Sequence, residues 1–207
     1  TLAAARYARE QDIPLQVNTT VTRSTVNDLP DLADLVESLG ALLWSVFFLV
    51  PIGRGRILDP IGPERADEVM NWLLTQATTR DFGVKTTEAP QYRRVAMEMN
   101  RTAGEKQVDT DSIGRRGGVR AGDGFAFISH TGDVFPSGFL PLSAGSVRDT
   151  SLVEVYRDSD LFQGLREEDQ FRGKCGVCEY RNVCGGSRSR AYAYTGNPLE
   201  SDPLCPY

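Results

Sequence analysis

The run KCGVCEYRNVCGGSRSRAYAYTGNPLESDPLCPY, residues 174–207, holds every cysteine of the 207-residue chain. Cys175, Cys178, Cys184 and Cys205 follow the spacing C-x2-C-x5-C-x20-C. A C-x2-C pair lets two thiolates from one turn reach a single centre. Two more complete an all-sulfur tetrahedral set, which suits zinc or an iron–sulfur cluster. Two structural disulfides fit poorly, because disulfide frameworks belong to short secreted chains and this sequence shows four cysteines and no signal-peptide pattern. Zinc sites usually place their second pair as another short knuckle, whereas a four-thiolate cubane accepts irregular gaps. Arg172, Lys174, Arg181, Arg188 and Arg190 surround the ligands, and only Glu179 opposes them before Glu200. Nearby cations stabilise an anionic cluster, but a zinc tetrathiolate is anionic too, so the residues alone leave both metals open.

Upstream of the cysteines, strands and helices alternate. LAAARYAREQ (2–11) reads as helix, rich in Ala and long polar residues. PLQVNTTV (14–21) alternates Leu15, Val17, Thr19 and Val21 against Gln16, Asn18 and Thr20, the period of a strand. Asn27 or Asp28 is placed to cap a helix with Pro30 in its first turn; Leu29, Leu32, Val36 and Leu39 line one face and Gly40 stops it. ALLWSVFFLV (41–50) is apolar on both faces, as a buried parallel strand is. A helix from about Pro63 carries Ala66, Val69, Met70, Leu73 and Ala77 at helical spacing, with Glu64 in its first turn. VKTTEA (84–89) reads as a short strand. APQYRRVAMEM then reads as a helix turning Tyr92, Val95 and Met99 inward. Alternation of this kind argues for parallel βα units, and three strands cannot close a barrel. Residues 101–124 are Gly-rich and aperiodic and read as a linker. FAFIS and VF flank a turn at His130–Asp133 as a hairpin, and residues 151–169 suggest two short helices.

The cysteine run, with GGSRSRAYAYTGNPLESDPLC after the third cysteine, resembles the C-terminal auxiliary-cluster (SPASM or twitch) domain of radical S-adenosylmethionine enzymes. It is most similar to the branch of the haem-biosynthesis radical enzymes, which carry a CEYR-x-VCGGxRARAY run. FFLVPIGRGR (47–56), VKTTEAPQYRRV (84–95) and FAFISHTGDVFPSGFLPL (125–142) extend the resemblance to most of the chain. It implies an α/β fold: late βα units of a partial (β/α) barrel over 1–110, then a small α+β iron–sulfur domain with a β-hairpin over 111–207. It implies that Cys175, Cys178, Cys184 and Cys205 ligate one auxiliary [4Fe–4S] cluster. Ser137 and Arg188 stand where further cysteines of the full pattern would be, so one auxiliary cluster is expected. The family's C-x3-C-x2-C loop is absent from this sequence, which therefore reads as a C-terminal fragment. S-adenosylmethionine and a second [4Fe–4S] cluster are then expected only in the full-length enzyme.

Ligands of such barrels sit at the C-terminal strand ends. Polar residues on the inner strand face, Gln16, Asn18 and Thr20, are costly unless something uses them. The resemblance sets this face, with Val50, Pro51 and Gly53 after the next strand, beside the S-adenosylmethionine pocket; the alternative is that these polar side chains bond to neighbouring strands or face out. Lys85 and Glu88 end the last strand, within reach of a substrate, but read first as a solvated charge pair. His130, alone of its type, reads as structural or exposed. Gly185 and Gly186 lack the strand–loop–helix context of a phosphate loop and read instead as sites of close backbone approach. A net charge of −5 with no basic stripe argues against nucleic acid, and the longest apolar run, 41–52, is too short to span a bilayer. Clustered thiols fit the cytoplasm. Partners implied are a peptide or tetrapyrrole-like substrate and an electron donor. The competing readings are a non-catalytic module with a structural zinc site for partner binding, and a simple electron carrier.

Overall fold

The computed structural model describes residues 1–102 and 120–207. The middle of the Gly-rich segment, and with it the expected boundary at 110/111, lies outside the described residues.

The first part alternates as its sequence does: α1 (Leu2–Glu10), β1 (Gln16–Val21), α2 (Leu29–Ser38), β2 (Leu43–Phe48), α3 (Pro63–Thr79), β3 (Gly83–Thr87) and α4 (Gln91–Thr102). The strands form one open parallel sheet in the order β1-β2-β3. Asn18 lies opposite Ser45, which lies opposite Lys85. One face carries the core. Trp44 is fully buried, its ring edge-on to Trp72 and Phe82 at 6.0 and 5.9 Å. Its indole N–H donates to Thr19 Oγ1 at 2.9 Å, so the polar end of this large side chain is satisfied. Val21, Val46 and Phe48 share this core with Ala66, Val69, Met70 and Leu73 of α3 and with Tyr92 and Val95 of α4. Ala77, expected in the same row, is only partly buried, and Leu74 takes part instead.

The entry to α2 differs from expectation. Neither Asn27 nor Asp28 caps it; a short 3-10 turn, Val26–Asp28, leads directly into the helix. The hydrogen-bonding work falls to Thr25, whose hydroxyl accepts from the Thr22 amide at 2.9 Å and donates to the Thr20 carbonyl at 2.9 Å. Gly40 ends the helix with φ +66°, as its type allows.

The second part holds an antiparallel sheet of β4 (Phe127–Ile128), β5 (Asp133–Phe135) and β6 (Gly145–Ser146). The hairpin and its exposed His130 were legible. The third strand was not, since two residues carry no periodicity. Two short helices, α5 (Leu152–Asp158) and α6 (Asp160–Arg166), follow, capped by Ser151 and Ser159, each accepting a bond from a first-turn amide. The cysteine run contributes α7 (Gly173–Val177) and α8 (Arg188–Thr195). The described end of the expected linker is not a solvated loop. Arg120 is buried, donating to Asp123, Glu168 and the Arg181 carbonyl. The two parts are packed together, since Leu204 of the last loop enters the core of the first sheet. Among the described residues no helix is long and apolar enough to cross a membrane.

Candidate metal centre

The four cysteines are brought together by three local devices. Cys175 rides on α7, and Cys178 ends that helix in extended backbone. A tight turn follows in which the Cys184 amide donates to the Tyr180 carbonyl at 2.8 Å. Cys205 arrives from the far end of the chain, its amide bonded to the Asp202 carbonyl. No pair is bonded as a disulfide. All four border one small cavity, with Arg94, Lys174, Arg181 and Asp202 around it. Cys175 and Cys184 are buried and Cys178 and Cys205 half-buried, so the set has a protected floor and a side near solvent.

Three sulfurs already accept hydrogen bonds, at 3.4 Å each: Cys178 from the Tyr180 amide, Cys184 from the Gly186 amide and Cys175 from Arg188 Nη2. Burial pushes the Cys184 thiol up to about 12, against a partly compensating bond from the Gly186 amide. Burial also raises the Cys205 thiol. Such thiols are poor nucleophiles. Gly185 and Gly186 both hold positive φ, +63° and +67°. A Cβ at Gly186 would stand 2.7 Å from Arg188 Nη2 and 3.2 Å from Cys175 Sγ, so this glycine permits the close approach its position suggested.

The donor set is all sulfur, as a cluster or zinc requires. Among the described residues no three His, Cys, Asp or Glu side chains converge tightly enough to chelate one ion. A single zinc draws four sulfurs to about 2.3 Å from one point. A cubane binds each thiolate to a separate iron and so takes a wider ring. The four thiols border one common cavity, and their donor type suits either centre.

The loop is locked to the sheet by Arg190. Its buried guanidinium donates to the carbonyls of Phe48 and Leu49, at 3.1 and 3.2 Å, and of Glu88 at 2.6 Å. It is ion-paired with fully buried Asp202 at 3.0 Å. Asp202 also accepts from Gln91 Nε2 and from the Ser187 and Leu204 amides. The cysteine loop therefore sits on the C-terminal ends of β2 and β3, where α/β barrels place their chemistry. Glu88 is not half of a solvated pair with Lys85. Its carboxylate accepts from the hydroxyls of Ser137, Ser187 and Ser189, and its backbone is left-handed at φ +56°.

A cavity of about 1080 Å³ opens between the sheet's other face and the second part. Gln16, Ser45, Phe47, Lys85, Thr87 and Glu88 face it from the sheet, and Ser137, Phe139 and Ser187 from across. Asn18 and Thr20 do share the exposed face of β1 with Gln16, as the alternation implied. They lie beyond the residues that line this cavity, as do Val50, which is buried, and Pro51, which is half-buried. Asp202, Arg94 and the serines around Glu88 escaped sequence reasoning, because their partners lie far along the chain and no local spacing marks them.

No family model matches the chain. It is 38% identical over 209 residues to the AdoMet-dependent heme synthase of Methanosarcina barkeri, covering all of this chain and 60% of that protein. It is 40% identical over 206 residues to the enzyme of that name from Nitratidesulfovibrio vulgaris, covering 97% and 56%. Among solved structures it superposes on Streptococcus suis SuiB bound to precursor peptide SuiA with a TM-score of 0.70 at 17% identity, over all of this chain and 48% of that one. It also superposes on anSMEcpe with bound AdoMet, TM-score 0.62 at 13% identity, over 98% and 53%. The open parallel sheet followed by a cysteine-bearing second part is thus a fold shared with these two solved structures, as the resemblance to radical S-adenosylmethionine enzymes implied. Over its whole length the chain is a relative of AdoMet-dependent heme synthases, the haem-synthesis branch of those enzymes. It spans 56–60% of the length of these curated relatives.

Proposed function

We propose that this chain is the auxiliary-cluster portion of a radical S-adenosylmethionine oxidoreductase, with residues 1–110 supplying late barrel units and 111–207 the cluster domain. The observation that carries it is the ring of four free thiols around one cavity, seated by Arg190 on the C-terminal strand ends. Cys175, Cys178, Cys184 and Cys205 would hold one [4Fe–4S] cluster, which when bound supplies electron relay or a point of substrate attachment. The protein's own part is to exclude water from two of the four ligands, to give amide hydrogen bonds to two of the sulfurs, and to hold the loop against the barrel mouth. The names of the relatives support a tetrapyrrole substrate, and the SuiA complex of SuiB supports a peptide. The cavity between the sheet and Phe139 is large enough for a substantial part of either. Asn18, Thr20, Val50 and Pro51 lie off that cavity and remain proposed for the S-adenosylmethionine pocket, with a second cluster, an external electron donor and a cytoplasmic setting belonging to the complete enzyme.

Anaerobic reconstitution followed by iron, sulfide and zinc analysis tests the reading. About four iron and four sulfide per chain are expected. About one zinc with no sulfide, persisting after reconstitution, would instead establish a structural zinc module and end the redox reading.

A further inference from the structure

Four arginines are buried in the described structure, and three of them are paired with acids. Arg94 meets Asp67 and Glu98, Arg120 meets Asp123 and Glu168, and Arg190 meets Asp202. Arg188 is the exception. It is the most deeply buried of the four, with no exposed surface. Its Nη1 donates to the carbonyls of Pro198 and Glu200, both at 2.9 Å, and its Nε to that of Gly186 at 3.4 Å. Its guanidinium lies 4.5 Å from the centroid of the Phe171 ring. The remaining donor, Nη2, meets Cys175 Sγ at 3.4 Å. Among the described residues no carboxylate forms an ion pair with it, and the buried carboxylate of the same loop, Asp202, is taken by Arg190, Gln91 and two amides.

Burying a lone cation costs several kcal/mol, and a guanidinium cannot escape by losing its proton. Carbonyls and a ring face soften that cost without cancelling the charge. Among the described residues, the only contact of Arg188 able to carry a negative charge is Cys175. Gly186 preserves that contact, since a side chain there would collide with Arg188 Nη2 and crowd Cys175 Sγ.

We propose that Arg188 is a positioning residue for the auxiliary cluster, anchoring it through Cys175 and raising its reduction potential. This rests on the cluster reading above. Taking up one electron, [4Fe–4S]2+ to [4Fe–4S]1+, adds a full negative charge beside a fixed buried cation, so the cation stabilises the reduced form more than the oxidised one. Charge-assisted hydrogen bonds are among the stronger ones. Losing this one is expected to reduce the ratio of reduced to oxidised cluster at a fixed potential by about tenfold, equivalent to about 59 mV for one electron.

The test uses the anaerobically reconstituted chain, with dithionite supplying the electron in a midpoint titration. Arg188→Gln is expected to retain iron and titrate at a lower potential, and Arg188→Lys, which keeps the charge, to fall closer to the parent. Parent protein enriched in [15N]arginine is expected to show a weak nitrogen coupling to the reduced cluster in pulsed EPR, absent from Arg188→Lys. A parent that binds four iron while Arg188→Gln keeps the same midpoint overturns the role of Arg188 and leaves the cluster reading standing. A parent that takes up no iron and sulfide overturns both. Should both variants fail to take up iron, the arginine coupling in the parent decides: its persistence in Arg94→Lys and Arg181→Lys, the other arginines around the cavity, supports the contact, and its absence from the parent or its loss in either of these variants rejects it.

Discussion

At the scale of single residues, Asp202 does the most with the least surface. It is fully buried, neutralises Arg190 and accepts from two amides and Gln91, so removing it leaves a buried cation and several donors together without a partner. Breaking such a pair from one side typically costs about 3–5 kcal/mol. Asp202→Ala is expected to lose that much in urea denaturation, and a loss below about 1 kcal/mol would show that water or a rearranged loop replaces it. Glu168 gives a pH signature. Burial alone would raise its carboxyl, but the hydrogen bond from Arg120, with the neighbouring charges of Arg120 and Arg181, outweighs it and holds the group below 4.5. A depressed folded value means the carboxylate contributes stability above its unfolded value and loses it as pH falls through the folded one. Acid unfolding of Glu168→Gln should therefore have a shallower dependence on pH below about 4.5 than the parent, and identical slopes would remove Glu168 from the account. Neither residue was visible in advance. No local spacing marks Asp202 or Glu168, because the charged and polar partners that decide their burial lie 12 and 111 residues away for Asp202 and 48 for Glu168.

At the scale of elements, the sequence was most informative where one periodicity ran unbroken. The three parallel strands and the long helix α3 followed their apolar spacing, and the alternation of β1 put Gln16, Asn18 and Thr20 on one face as read. It failed for α8, which buries Arg188, Ser189, Arg190 and Ala191 in succession. A helix that buries polar residues through specific hydrogen bonds has no apolar stripe to detect. Only its caps, Ser187 and left-handed Gly196, left a trace in the sequence. The contact between α8 and the end of β3 is where Glu88 takes three serine hydroxyls. Hydrogen bonds to a charged group contribute about 1.5–3 kcal/mol each before exposure is discounted, so Glu88→Ala should cost about 2–3 kcal/mol in net stability. The left-handed backbone at this residue is itself unfavourable by about 1 kcal/mol for any residue with a Cβ. Glu88→Gly should therefore be less damaging than Glu88→Ala by about 1 kcal/mol. If alanine is the better tolerated of the two, the positive φ carries no strain here.

At the scale of the whole molecule, the cysteine loop and the sheet are packed and hydrogen-bonded together. Leu204, one residue before the last cysteine, packs among Trp44, Phe48 and the residues of α3 and α4. Arg190, two residues beyond Arg188, holds the carbonyls that end β2 and follow β3. A ligand that binds only the folded loop stabilises everything that must be folded with it. Incorporation of iron and sulfide at the four thiols should therefore slow amide exchange in two places. One is the loop itself, residues 171–207. The other is the C-terminal ends of β2 and β3 around Phe48 and Glu88, which carry no proposed cluster ligand. The peptide containing α1 is the internal control: its helix contributes a single buried residue, Ala5, and has no bond to the loop among the described residues, so its exchange should not change. Hydrogen exchange with mass-spectrometric readout of the reconstituted and metal-free chain distinguishes the outcomes. Protection that stops at the loop would mean that Arg190 and Leu204 are passive packing. Protection that reaches the strand ends would mean that loading the cluster tightens the barrel mouth where the family's ligands are expected to sit.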